Sequence, residues 1–143
     1  MTYWDASALV PLLVTEAATN TVQSWLHEDA NVVTWVWTRV EITSAIERRY
    51  REGTVSMDQR RELISRLTVI ARQWDEVTDI LVTRKHAQRI LAHYPLRAAD
   101  AAQLAAAIIA CEGDPGGERF ACLDHRLAEA AELEGFTVLN TAY

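Results

Sequence analysis

The chain opens on an apolar run, Met1-Thr2-Tyr3-Trp4, that stops at Asp5 and gives way to helical spacing. A short apolar run closed by a polar residue reads as a buried strand, so residues 1–5 are expected as strand and residues 6–13 as a helix opening directly from it. Residues 17–28 carry Val22, Trp25 and Leu26 as a helical stripe. Residues 31–35 are β-branched and aromatic, a second strand. A helix from about Trp37 to Glu52 stops at Gly53, which supplies a left-handed residue. Ser56-Met57-Asp58-Gln59 has the form of a capping box and starts a helix reaching about Trp74. Residues 77–81 read as a third strand, and residues 83–94 as a helix ended by Pro95. An alanine-rich helix over 98–112 closes at Gly113-Asp114-Pro115-Gly116-Gly117. A strand over 119–123, a helix over 125–134, Gly135 and a strand over 136–140 complete the pattern.

Strands alternating with helices predict an α/β domain with a mostly parallel central sheet of about five strands. The long hairpin over 37–74 is an insertion on that pattern. No repeat, linker or low-complexity tract interrupts it, so one domain over 1–143 is expected. In an open α/β sheet, ligands collect beyond the C-terminal ends of the strands. Asp5 and Asp124 each end a strand and begin a turn, which points both at the same edge.

Composition narrows the function. Hydrophobic residues make up 50% and charged residues 24%, an ordinary globular balance. No apolar stretch approaches the ~20 residues that cross a bilayer, and no signal peptide is read, so a cytoplasmic protein is expected. Cys111 and Cys122 follow no disulfide or zinc pattern and read as small buried hydrophobes. A net charge of −6 argues against nonspecific coating of nucleic acid. Lys85 is the only lysine, so positive charge is almost all arginine, suited to phosphate but equally a product of codon bias.

The candidate chemistry lies in four acids: Asp5, Glu41, Asp100 and Asp124. Singly, each has a plain reading. Asp5 and Asp124 suit helix N-caps, and Glu41 suits the positive end of a helix. Asp100 is harder to explain, because it shares a helix face with Leu104, Ala107, Ile108 and Cys111, the stripe that should meet the sheet. A buried carboxylate costs several kcal/mol in lost hydration unless a cation pairs with it. Arg97 is one candidate partner; Mg²⁺ or Mn²⁺ shared with the other acids is another, since both ions prefer hard oxygen ligands. Such an ion activates water and holds a scissile phosphate without a histidine base. Ser7, two residues after Asp5, suits a donor to a carboxylate or phosphate oxygen and equally a helix-start hydroxyl with no special role. His27, His86, His93 and His125 have no metal-binding spacing, and no phosphate-binding glycine loop occurs.

The order of these pieces resembles the PIN-domain ribonucleases, and among them the VapC-type toxins of bacterial toxin–antitoxin pairs. The matching stretches are Tyr3-Trp4-Asp5-Ala6-Ser7-Ala8-Leu9-Val10, Thr38-Arg39-Val40-Glu41, Leu96-Arg97-Ala98-Ala99-Asp100-Ala101-Ala102-Gln103-Leu104-Ala105 and Phe120-Ala121-Cys122-Leu123-Asp124-His125-Arg126-Leu127. Each is weak alone; the four in order span nearly the whole chain. The resemblance implies a three-layer α/β/α fold and a metal-dependent endoribonuclease in which Asp5, Glu41, Asp100 and Asp124 bind Mg²⁺ or Mn²⁺. It also implies an RNA substrate, a cognate antitoxin and a homodimer or higher assembly. A catalytically silent PIN-like binding module would share the fold but show no activity in any metal. A haloacid-dehalogenase-type phosphatase would require Asp-x-Asp after the first strand, where this chain has Asp5-Ala6-Ser7.

Overall fold

The computed structural model describes residues 1–141. The elements run β1 (Thr2–Trp4), α1 (Ala6–Leu13), α2 (Thr19–Glu28), β2 (Val33–Trp35), α3 (Thr38–Arg51), α4 (Met57–Ala71), β3 (Asp75–Val77), α5 (Ile80–His93), α6 (Ala98–Ala110), β4 (Arg119–Ala121), α7 (His125–Glu134) and β5 (Thr137–Leu139). The five strands form one sheet in the order β3-β2-β1-β4-β5, and every neighbouring pair is parallel. The α/β class and the parallel sheet are as the strand–helix alternation predicts.

Alternation of side chains along each strand makes the two cores. Tyr3 and Phe120 project to one face and stack with ring centroids 5.3 Å apart. There they meet Leu104 of α6, Leu127 of α7 and Ile90 of α5. Trp4 and Ala121 project to the other face, where Trp25 of α2, Leu9 of α1 and Ile42 and Ile46 of α3 cover them. Helices on both faces give three layers. The run Ala105, Ala106 and Ala107 is fully buried, and its small side chains let α6 pack closely.

The hairpin of α3 and α4 sits against α1. Its turn follows the sequence closely. Gly53 adopts φ +81°, and the Ser56 capping box forms both of its bonds, 3.1 Å from the Gln59 N–H and 2.8 Å back from the Ser56 N–H. Leu63, Leu67 and Ala71 face the core, with Ile64 and Ile70 half-buried beside them.

One boundary differs in kind. Ile80 and Leu81, expected as strand, form the first turn of α5, and the strand lies earlier, at Asp75–Val77. Asp79 caps that turn by accepting the Val82 N–H at 3.1 Å. The cap overrides the β-branched run, and Ile80 and Leu81 remain exposed. Elsewhere the strands are shorter than expected, α2 begins at Thr19 and α4 ends at Ala71.

The strand order places the site. The chain steps from β1 outward through β2 and β3, then returns to lay β4 on the other side of β1. The crevice beyond the C-terminal ends of β1 and β4 is therefore the point where connection direction reverses, the usual ligand position in such sheets. Among the described residues, no helix is long and apolar enough to cross a membrane.

Candidate active site

Asp5 follows β1 and caps α1. Its backbone N–H donates to the Ala121 carbonyl at 3.0 Å, which ties it to β4 across the switch point. One carboxylate oxygen accepts the Ser7 N–H at 3.1 Å and the Ser7 hydroxyl. The Ser7 hydroxyl in turn accepts the Leu123 N–H at 2.9 Å. Ser7 thus joins the turn after β1 to the turn after β4 and fixes Asp5 between them. Asp5 is only 4% exposed, and its acid is raised from the ordinary 3.8 to about 6. Burial is the main cause; the Ser7 bonds oppose it and the charge of Asp100 adds to it.

Glu41 lies in the first turn of α3, directly after β2. Its carboxylate accepts a 2.9 Å bond from Gln103 Nε2. The same nitrogen donates to Thr38 Oγ1 at 3.0 Å, while Gln103 Oε1 accepts the Tyr3 hydroxyl at 2.6 Å. Thr38 continues to Thr34 at 2.7 Å, and Thr34 donates to the Trp4 carbonyl at 2.7 Å. This buried chain fastens α6 to α3 and β1 and aims Glu41 at the crevice. Burial raises the Glu41 acid to about 7; the Gln103 bond opposes that, and Asp5 and Asp100 push it further up.

Asp100 sits in the first turn of α6 and is half-buried. Burial raises its acid, the charge of Asp124 raises it further, and Arg97 pulls it down. Asp124 is exposed and caps α7, accepting the Leu127 N–H at 2.9 Å. All four acids therefore stand at helix N-termini, where the exposed N–H groups and the macrodipole favour negative charge. Asp5 and Asp124 both act as helix caps, as their positions in the sequence suggest.

Two grooves flank the acids. One, of ≈ 380 Å³, lies between α1 and α3 and includes Ser7, Glu41, Ala45, Arg48 and Arg49. The other, of ≈ 320 Å³, is lined by Arg97, Asp100, Asp124, His125 and Arg126. A larger hollow of ≈ 670 Å³ is lined by apolar side chains such as Leu12, Leu26, Val69 and Trp74. It contains none of the four acids, so volume alone does not mark the chemistry.

Carboxylates are the donors a hard divalent cation prefers, and burial, helped by the neighbouring acids, raises Asp5 to about 6 and Glu41 to about 7. Among the described residues, no group of three or more His, Cys, Asp or Glu side chains is arranged so as to hold a metal ion. Magnesium is ordinarily held by one or two carboxylates, with water and phosphate oxygens completing its shell, so an open set fits it. Asp5 with Asp100 and Glu41 are the best-placed pairings, being the most buried and mutually charged.

Gln103 was not singled out by sequence reasoning, although it is fully buried and bonds Glu41 directly. Its only signal is the spacing Asp100-x-x-Gln103, which puts both on one helix face. Of the two thiols, Cys122 is buried beneath Asp5 and Cys111 is partly exposed; both are free. His125 is exposed at the start of α7.

No protein-family model matches the chain, and no curated protein matches it. Among solved structures, it is similar to a chain in the crystal structure of FitAcB from Neisseria gonorrhoeae. The TM-score is 0.70 at 16% identity, covering 98% of this chain and 97% of that one. The likeness shows the fold, a PIN-like α/β/α arrangement with a five-stranded parallel sheet and an inserted helical hairpin.

Proposed function

We propose that this chain is a metal-dependent endoribonuclease that hydrolyses RNA phosphodiester bonds, and that it serves as a VapC-type toxin held in check by a cognate antitoxin. What supports the reading is the chain of electrostatic coupling beyond the strand ends, Glu41 with Asp5 and Asp100, Asp5 with Asp100 and Asp100 with Asp124, with Ser7 and Gln103 bonded to the two most strongly perturbed acids. The toxin role rests on the order of the four motifs and on the fold shared with FitAcB.

Asp5, Glu41 and Asp100 would hold Mg²⁺ or Mn²⁺, with Asp124 completing the acidic rim. When bound, the ion supplies Lewis-acid polarisation of the phosphate and a water of lowered pKa. Ser7 and Gln103 keep the Asp5 and Glu41 oxygens in one orientation, so little reorganisation accompanies substrate binding. Arg97 and Arg126, exposed beside Asp100 and Asp124, offer charge to the strand on one side of the cleaved bond. The antitoxin would cover the acidic crevice with a cationic or polar segment. A homodimer in the cytoplasm is the assembly proposed for the toxin.

Induced expression in a bacterial host tests the reading. Growth arrest accompanied by fragmented RNA is expected from the native chain, and neither from Asp100→Asn. Arrest that persists undiminished in the variant would contradict it.

A further inference from the structure

Helix α3 carries more than Glu41 toward the crevice. At about 100° per residue, Trp37, Glu41 and Arg48 fall within about 40° of one another on the helix surface, over a length of ~16 Å. Trp37 stands at the N-cap, where a short polar side chain normally bonds the first turn, yet it makes no cap bond with its side chain. Its backbone carbonyl accepts the Glu41 N–H at 3.2 Å, so indole and carboxylate are one turn apart. The indole is 56% exposed, although the core buries Trp4, Trp25 and Trp35.

Arg48 stands at the other end of the stripe. Its neighbour Arg49 pairs with Glu16, Arg60 with Glu47 and Arg39 with Glu76. The Arg48 guanidinium is exposed and has no hydrogen bond or ion pair among the described residues. It lines the same groove as Ser7 and Glu41, with Ala45 as a flat floor between.

A π-face, a carboxylate that attracts a cation, and an unpaired guanidinium in one row match three features of a nucleic-acid strand: base, scissile phosphate and neighbouring phosphate. Building on the nuclease reading above, we infer that α3 is the substrate track of the site: a nucleobase of single-stranded RNA stacks on Trp37, and a phosphate beyond the cleaved bond pairs with Arg48. A continuous A-form duplex keeps its bases stacked on one another and offers none to the indole, so the track selects single-stranded segments.

Binding tests this directly. A fluorescein-labelled single-stranded RNA of about 20 nucleotides is titrated in Mg²⁺ with the Asp100→Asn chain, which leaves the strand intact, and a hairpin duplex is titrated in parallel. Trp37→Ala is expected to weaken single-strand binding about 5- to 100-fold without changing the salt slope, while Trp37→Phe retains most of the affinity. Arg48→Gln is expected to lower the slope of log K against log salt by about 0.7. Arg89→Gln, whose partner Glu134 ends α7 a helix length from Asp124, should bind as the parent. Trp37→Leu keeps an apolar side chain without the stacking face and decides the matter should the alanine variant fail to fold. Parent-like binding by both the Trp37 and Arg48 variants would overturn the track while leaving the nuclease reading standing. Unchanged RNA binding with an altered oligomeric state on size exclusion would also overturn it and assign the stripe to a protein contact. RNA that is neither bound by the Asp100→Asn chain nor cleaved by the native chain would overturn both.

Discussion

Gln103 uses both amide hydrogens and its carbonyl oxygen inside the core, and one of those bonds is the only side-chain bond described for Glu41. Replacing it with leucine removes the orientation of Glu41 and strands the Tyr3 hydroxyl. A 10- to 100-fold loss in metal affinity or turnover is expected, read by Mn²⁺ titration calorimetry alongside cleavage kinetics; an unchanged titration would remove Gln103 from the site. Asp5 makes a second residue-scale prediction. Its acid is raised to about 6 and that of Glu41 to about 7, so the folded chain binds these protons more tightly than the unfolded one. Stability from these groups is complete below about pH 4 and is lost as pH rises through 6 and 7. In EDTA, the urea midpoint should therefore fall between pH 5 and pH 8, and Asp5→Asn should flatten that fall. A midpoint difference that is the same in native and variant chains would refute the assignment. Asp5, Asp100 and Asp124 stand out in the sequence because each ends or interrupts an apolar pattern, whereas Glu41 is marked only by its place near a helix start and by the resemblance. Gln103 was not, because an uncharged amide in an alanine-rich helix carries no local sign of what it will meet across the fold.

Helix ends were read best where a side chain dictates them. The Ser56 box, Gly53 and Gly135 are local devices, and all three form as their residue types require. Gly135 ends α7 at φ +112°, and a Cβ there would approach Pro115 Cγ to 3.1 Å. Gly135→Ala is expected to destabilise the chain by about 1–3 kcal/mol through backbone strain and that contact, measured by urea unfolding; a stability equal to the native chain would contradict the close approach. The misplaced β3 shows the limit of this kind of reading. Val77, Thr78, Ile80, Leu81 and Val82 suit a strand, and the Asp79 cap decides where helix replaces strand. A short apolar run has no period long enough to distinguish the two.

At the scale of the whole molecule, strand–helix alternation announced a parallel sheet but not the order β3-β2-β1-β4-β5, because order depends on which faces pack rather than on any local pattern. That order is what turns two distant aspartates into neighbours and joins the N-termini of α1, α3, α6 and α7 at one edge. Four carboxylates at one edge repel, so a cation that binds only the folded chain should stabilise it. Adding Mn²⁺ at pH 8 is expected to raise the melting temperature, by about 2.7 kcal/mol of stability at a hundredfold excess over Kd, and Asp5→Asn should lose most of the rise. A shift of equal size in the variant would place the cation elsewhere.

The central claim is that these acids form a cation-dependent hydrolytic site for RNA. Its most direct measurement is cleavage of total RNA by the purified chain in Mg²⁺, Mn²⁺ or EDTA, with Asp100→Asn as the matched control. Discrete fragments that require the metal and are absent from the variant are the predicted result. Cleavage that survives EDTA, or that the variant performs equally well, would contradict the account.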